Sequence, residues 1–541
     1  MSRQWGLSTL LMIACACVLH AQEQLPVDID DPVYPLLEIS AIRGLVAPGS
    51  VVKPYSEREV RSRLDAARTG ERLSPEERGI LDEMARRFPK GDAPVAYLET
   101  AGESSIRADL SQAGVIDFSV MGEVGILGSL WSTGSYRLQL QGFLDMLNPE
   151  AFAPFDFTKQ YDGSQVWTAG QTVQYSNGIN GHLNFASAAL SALSFDFFDH
   201  ALNLQFTRTR REWGPGEGSL SLSGTARPIE GFSVSTRPVS WAGFHFLAGT
   251  LGSWWNSAAE QKIFSIHRIE LFPYDWLYLS PWETVVYAKR LELSYLNPLF
   301  PFYFGQQLGG DIDNLALGGD IAVTIAPFAR VYASLYIDEI SFVPLSTFFT
   351  RANNQYAWQV GMKVPLPWPA WSLFVFQYTK IEPYNYTHYL QTVPQYTTPI
   401  NINYTNDGEN IGYHLPPNSD EFLVRLSAHP APRLSAMAQY QLIRHGTGLL
   451  SLGQIEGDIN KPIDYRLSYP RKDFLHDGIY EWIHIARLDL SYSFPALHAS
   501  VWAEYALVFA SNYTNIPGNN VMKNLVGIGV KFRGATWSGG E

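Results

Sequence analysis

The chain has 541 residues, a formal net charge of −13 and 13% aromatic side chains. The acidic balance excludes the basic footprint of a nucleic-acid binder and supplies no cationic membrane-surface patch. Both cysteines, Cys15 and Cys17, fall within residues 1–21, so a chain cleaved after Ala21 has no disulfide, no cysteine-ligated zinc and no thiol nucleophile.

Residues 1–21 read as a secretory signal peptide. Arg3 gives the positive start, Leu7 to Leu19 the apolar stretch and Ala21 the small residue at the cut. The alternative, a lipoprotein anchored at Cys15, fits poorly with Met12-Ile13-Ala14 before it.

Residues 22–93 have the pattern of a small helical bundle. Asp31-Pro32 opens a helix through Leu36, Leu37, Ile39 and Ile42 that ends near Gly44. Ser56-Glu57-Arg58-Glu59 is a capping box before Val60 and Leu64. Ser74-Pro75-Glu76-Glu77 is a second box, with proline where its missing N–H costs nothing, and its helix is predicted to reach about Phe88. The unit is read as a spacer, a plug or a periplasmic docking module.

From 94 to 532 the pattern changes to period two. Tyr136–Gln141, Leu202–Thr207, Leu488–Ser493 and Val526–Phe532 each put apolar residues on every second position. One face is apolar and the other carries Arg, Gln, Asp and Ser. The fold class predicted is an all-β transmembrane barrel of roughly 16–18 antiparallel strands with a small N-terminal α-helical bundle, apolar face toward lipid. Long connections are predicted at about 146–170, 298–317, 341–354, 382–419 and 446–481, with short turns between them. Residues 533–541 read as a polar C-terminal tail beyond Phe532.

Two constellations stand out. Arg208, Arg210, Arg211, Glu212 and Trp213 adjoin a glycine-rich turn and Arg227; His267, Arg268, Glu270 and Asp313 follow. Guanidinium groups pair with carboxylates, so these ten residues are predicted to form a polar cluster in the lumen or against the plug, or to hold an acidic sugar. The 382–419 connection carries Tyr384, Tyr386, Tyr389 and Tyr404 with Asn385 and Asn403 among many uncharged polar residues. Aromatic faces that pack on sugar C–H surfaces, with amides beside them, are candidate glycan contacts; packing at the barrel mouth is the alternative. No nucleophile elbow, zinc-protease motif or phosphate-binding loop occurs, so no catalytic residue, cofactor or metal is assigned.

These motifs in order resemble the Wzi family of outer-membrane capsule-assembly proteins. The resemblance rests on Pro-Tyr-Ser-Glu-Arg-Glu-Val (54–60), Leu-Ser-Pro-Glu-Glu-Arg (73–78), Arg-Glu-Trp-Gly-Pro-Gly (211–216), Ala-Arg-Pro (226–228), His-Arg-Ile-Glu-Leu (267–271), Tyr-Leu-Asn-Pro-Leu (295–299), Asp-Asn (313–314), Gly-Tyr-His-Leu (412–415) and Asn-Ser-Asp-Glu (418–421). It implies a barrel occluded by an N-terminal bundle, in the cell outer membrane, with a lectin-like and non-enzymatic role toward surface or capsular polysaccharide. The partners expected are that polysaccharide and outer-membrane lipid, no nucleic acid, and a monomeric chain. The alternative is a plugged channel or transporter for a small solute.

Overall fold

Strict alternation lets each segment hydrogen-bond to both neighbours while keeping two chemically different faces, and in hydrocarbon such a sheet must close on itself. The wall consists of β1 (Ala96–Asp109), β2 (Ile116–Leu130), β3 (Gly134–Leu147), β4 (Ala188–Phe197), β5 (Leu202–Thr209), β6 (Ile229–Val239), β7 (Ala242–Leu251), β8 (Lys262–Tyr274) and β9 (Leu277–Ala288). It continues with β10 (Asn314–Ile325), β11 (Ala329–Glu339), β12 (Gln355–Leu366), β13 (Ser372–Ile381), β14 (Ser419–Ala431), β15 (Leu434–Gly446), β16 (Tyr480–Phe494), β17 (Ala499–Ser511) and β18 (Val521–Gly539). Every strand is antiparallel to the next and β18 pairs back onto β1, which makes a closed 18-strand barrel. This computed structural model describes residues 24–70, 73–88, 96–112, 116–130, 133–147, 169–174, 180–185, 188–198, 201–225, 228–252, 262–310, 312–340, 345–390, 401–406, 408–448, 457–461, 471–476 and 478–539. The signal-peptide expectation for residues 1–21 lies outside them.

The C-terminal boundary differs from the sequence reading. Residues 533–539 are wall: Arg533 lies opposite Ala101, Gly534 opposite Thr100 and Gly539 opposite Ala96. Without them the first half of β1 would leave unpaired backbone groups facing lipid. Phe532 sits inside this strand, its ring over Gly102.

Turns at one end of the barrel are short, and the connections at the other end are long. In outer-membrane barrels the short turns are periplasmic and the long loops extracellular. Outward positions are apolar and exposed, among them Ile126, Leu140, Ile321, Leu335, Val360 and Ile528. Trp241, Tyr274, Trp276, Phe328, Trp368 and Phe494 crowd the short-turn end, as an interfacial aromatic girdle does. Among the described residues no helix is long and apolar enough to cross a membrane.

Three N-terminal helices close the short-turn end: α1 (Val33–Ile42), α2 (Glu57–Arg68) and α3 (Pro75–Ala85). Ser56 caps α2 by accepting from the Glu59 N–H, and Ser74 with Glu77 completes the reciprocal box on α3. Leu36, Ile39, Val60, Leu64, Ile80 and Leu81 form their common core, and this core is continuous with Trp371, Leu373 and Val375 of the wall. The Trp371 indole donates to the Glu77 carbonyl at 2.9 Å. The bundle is therefore packed on the barrel as a plug. The segment after α1 runs on to Val52–Lys53, which pairs with Glu212–Trp213.

The lumen is less polar than the alternation predicts. Toward the long loops it holds an apolar core that includes Trp213, Leu220, Phe264, Trp282, Tyr336 and Ile485. Inward positions there are apolar because folded loops, not water, fill the space.

Candidate functional site

Two connections fold into the lumen and meet. The first, described over 210–225, enters it as an inward loop and docks on β12 and β13. Gln377 accepts from the Glu217 N–H at 2.8 Å and donates to the Glu217 carbonyl at 2.9 Å. Gln359 donates to the Gly218 carbonyl at 3.0 Å. The Glu217 carboxylate lies 3.3 Å from the Lys363 amine and also takes Arg425. Burial opposes its charge, but Lys363, Arg425 and Lys53 prevail and bring its pKa down to about 2. Glu212 behaves oppositely. Burial pushes it up to about 7, although the Gly224 N–H donates to it at 2.9 Å and Lys53 favours its charge.

The second connection forms a roof from 382–390, 401–406 and 408–418. Tyr386 donates to the Leu220 carbonyl at 2.9 Å, and Tyr404 donates to the Ser221 carbonyl. The two rings stack at 5.6 Å between centroids and meet Tyr336 of β11 edge-on. Asn403 donates to the Ile459 carbonyl at 2.7 Å and accepts from the His388 N–H at 2.7 Å. Burial lowers the His388 pKa to about 4, so this ring is neutral at pH 7.

The wall grips the plug through separate polar contacts. Glu270 accepts from the Val51 N–H at 2.9 Å and from the Tyr278 hydroxyl at 3.0 Å, with His245 Nε2 2.9 Å from its other oxygen. Arg210 pairs with Asp28 and Asp30. Arg330 donates to Glu38 at 2.9 Å. Between the plug and β14–β18 remains a cavity of about 820 Å³, lined by Arg107, Arg425, Arg487, Asp489, Trp502 and Glu504 among others.

The polar constellation read from the sequence is thus divided. Arg210, Glu212, Trp213, Arg268 and Glu270 are in the lumen or on the inward loop, and Arg268 pairs with Asp320. Arg211 closes the base of that loop by donating to the Ile229 carbonyl at 2.9 Å. Arg208 is not part of this cluster. It shares the outward parity of exposed Phe206 and lies opposite Glu230. His267 and Asp313 also fall outside it. His267 faces outward against Phe302, while Asp313 accepts from Tyr295 and Arg290 in the 289–313 connection. Arg227 lies outside the described residues.

The aromatic reading needs a correction. Tyr386, Tyr404, Asn385 and Asn403 are 0% exposed and Tyr384 is 9% exposed. A ring without exposed surface presents no face to an external sugar; these residues are the roof's packing. Tyr389 alone of the six remains partly exposed. Gln359, Gln377 and Lys363, which organise the inward loop, were not singled out. Their signal was present: they are polar residues at inward positions of two largely apolar strands.

The closed wall, its apolar outer face and the helices and inward loop within it define an outer-membrane β-barrel with an occupied lumen. No protein-family profile matches the chain, and no curated protein matches its sequence. Among solved structures it has the fold of Wzi from Escherichia coli, an outer-membrane protein involved in group 1 capsule assembly and described as a carbohydrate-binding β-barrel. That likeness covers 94% of this chain and 99% of that one, with a TM-score of 0.58 and 14% identity. OprD of Pseudomonas aeruginosa is matched over 82% of this chain and 96% of its own at 12% identity, with a TM-score of 0.42.

Proposed function

We propose that this protein is a non-enzymatic, lectin-like outer-membrane barrel that binds or organises surface polysaccharide. The observation that carries the reading is the double closure of the lumen, by the helical plug below and the tyrosine-roofed inward loop above. A barrel sealed at both levels is built to present a surface rather than to pass solute. The fold it shares with a carbohydrate-binding barrel supports a glycan as the ligand of that surface. Glycan contact belongs to the exposed side of the long connections, with Tyr389 of the sequence-predicted set the residue available there. The test is binding of purified detergent-solubilised protein to acidic and neutral surface polysaccharides. Tyr389→Ala is expected to weaken capture severalfold while the fold is unchanged; no capture of any surface polysaccharide by the wild-type protein overturns the proposal.

A second reading, a plugged channel, is favoured by the cavity of about 820 Å³ beside the plug, where Arg107, Arg425 and Arg487 face Asp489 and Glu504. Planar-bilayer conductance separates the two. A lectin-like barrel stays closed under applied voltage, whereas a channel shows discrete openings that grow when residues 22–93 are deleted.

A further inference from the structure

On the outer face of the barrel, β8 and β9 do not carry a full lipid-facing band. The outward residues of β9 run Leu277, Leu279 and Pro281, and the next outward position is Glu283. That apolar run covers four residue steps, about 13 Å along the strand, against an apolar band about 25 Å tall in outer-membrane barrels. On β8 the outward run Leu271, Ile269 likewise ends at His267. A carboxylate and an imidazole at that depth would meet hydrocarbon if nothing covered them, which is costly for an ionisable group.

The 289–313 connection covers them. It contains two short helices that the sequence reading missed, α4 (Leu293–Leu296) and α5 (Phe302–Gly309). The Phe302 ring is fully buried and stacks on His267 with centroids 4.2 Å apart. Glu283 accepts from the Phe302 N–H at 2.6 Å and lies 3.1 Å from His267 Nε2. Tyr295 packs against outward Tyr287 at 5.0 Å and donates to Asp313 at 2.8 Å, and Gln306 donates to the Asp313 carbonyl at 2.9 Å. The connection is thus clamped to the outside of the wall, with its polar groups turned inward.

Its other side is apolar and open. Leu291, Leu293, Leu299, Tyr303, Phe304 and Leu308 are all exposed, Leu299 and Leu308 at 82%. The patch adjoins the lipid-facing wall at Ile269 and Leu317, which are themselves exposed. We infer that the 289–313 connection is embedded in the outer leaflet, where these six side chains lie against lipid acyl chains and complete the apolar band that β8 and β9 leave short. A connection that sequence assigns to the aqueous side is on this inference a piece of the membrane-facing surface.

Single-cysteine spin labelling tests it, on a Cys15→Ser/Cys17→Ser background in phosphatidylcholine–phosphatidylglycerol liposomes. Labels go at Leu299→Cys and Leu308→Cys, with Ile269→Cys as the lipid reference and Asn520→Cys as the aqueous one. All four positions are surface-exposed, and circular dichroism confirms the barrel before measurement. The expected result is a ratio of oxygen to nickel-chelate collision rates at 299 and 308 close to that at 269 and severalfold above that at 520. A ratio equal to that at 520 overturns the inference. So does dipolar broadening with both collision rates suppressed, because it shows a second copy of the chain on the patch instead of lipid.

Discussion

Tyr386 and Tyr404 stack with their planes 21° apart and donate to consecutive carbonyls, Leu220 and Ser221, of the inward loop. This pair joins the two connections that fold into the lumen on the long-loop side. Each hydroxyl satisfies a carbonyl that has no water to turn to. Removing one hydroxyl should therefore cost more than an average hydrogen bond.

Tyr404→Phe is expected to destabilise the barrel by about 1–3 kcal/mol, the usual cost of a buried polar group left unsatisfied. Tyr386→Ala with Tyr404→Ala removes two fully buried rings and should cost about 5 kcal/mol or more, less than the sum of the singles because the rings touch. Thermal unfolding in detergent reads both. The double variant should also show bilayer current where the wild type shows none, and an unchanged baseline would mean that the plug alone seals the lumen.

The plug's grip on the wall can be tested at Glu38 and Arg330. The two are 2.9 Å apart, with side chains 22% and 8% exposed. Burial raises the Glu38 carboxyl, but Arg330, the nearest cation, together with Lys363 and Lys53 outweighs this and holds it below the usual carboxylate range. Arg330→Met should lose about 2 kcal/mol, since partial exposure softens the penalty of a stranded buried charge. Glu38→Gln added to Arg330→Met should recover part of it. Limited proteolysis of residues 24–88 would register the loosening, and equal cleavage of wild type and Arg330→Met would remove the pair from the account of closure.

Glu212 and Glu217, five positions apart on the inward loop, give pH responses of opposite sign. Glu217 has a folded pKa near 2 against an ordinary 4.5, so its stabilisation is present above pH 4.5 and lost as pH falls toward 2. Glu212 has a folded pKa near 7, so the folded state favours its protonated form. Stability from that group is full below pH 4.5 and lost as pH rises through 7. At about 1.4 kcal/mol per pKa unit each effect is on the order of 3 kcal/mol. Glu212→Gln should thus gain on the wild type steadily from pH 5 to pH 8, and Glu217→Gln should lose most of its deficit below pH 3. Melting temperatures across that range decide; parallel curves for wild type and Glu212→Gln would refute the assignment.

Much of the wall was legible because period two is a strong local signal, and the helix starts at Ser56 and Ser74 are local too, although only Ser74 completes the reciprocal box. What the sequence could not show was which tyrosines face water. Tyr386 and Tyr389 sit in the same polar context three residues apart, yet one is buried under the inward loop and the other lies partly exposed. That choice is made by Leu220, 166 positions away from Tyr386, and no local pattern carries it. Arg208 shows the reverse case: its outward parity beside Phe206 was readable, but the nearby arginines drew it into the wrong cluster. The outward Glu283 was also readable as a break in β9's apolar face, though its cover by Phe302 was not.

One substitution with opposite signs at two glycines tests the packing of roof against inward loop. A Cβ on Gly412 would stand 2.5 Å from the Leu220 carbonyl oxygen and 2.8 Å from the Tyr386 hydroxyl end. The obstacle is backbone, held in place by the Tyr386 bond and by the Ser223 N–H donating to the Ile411 carbonyl at 2.9 Å. Gly412→Ala must push the roof off the inward loop, at about 1–3 kcal/mol for overpacking. Gly79 in α3 has nothing within 4 Å of the same added atom. There alanine only restricts the unfolded chain and favours helix, so Gly79→Ala should stabilise by about 0.5–1 kcal/mol. The two variants, melted side by side, should bracket the wild type. If Gly412→Ala melts with or above the wild type, the two connections are not in contact, and the sealed lumen loses its upper barrier.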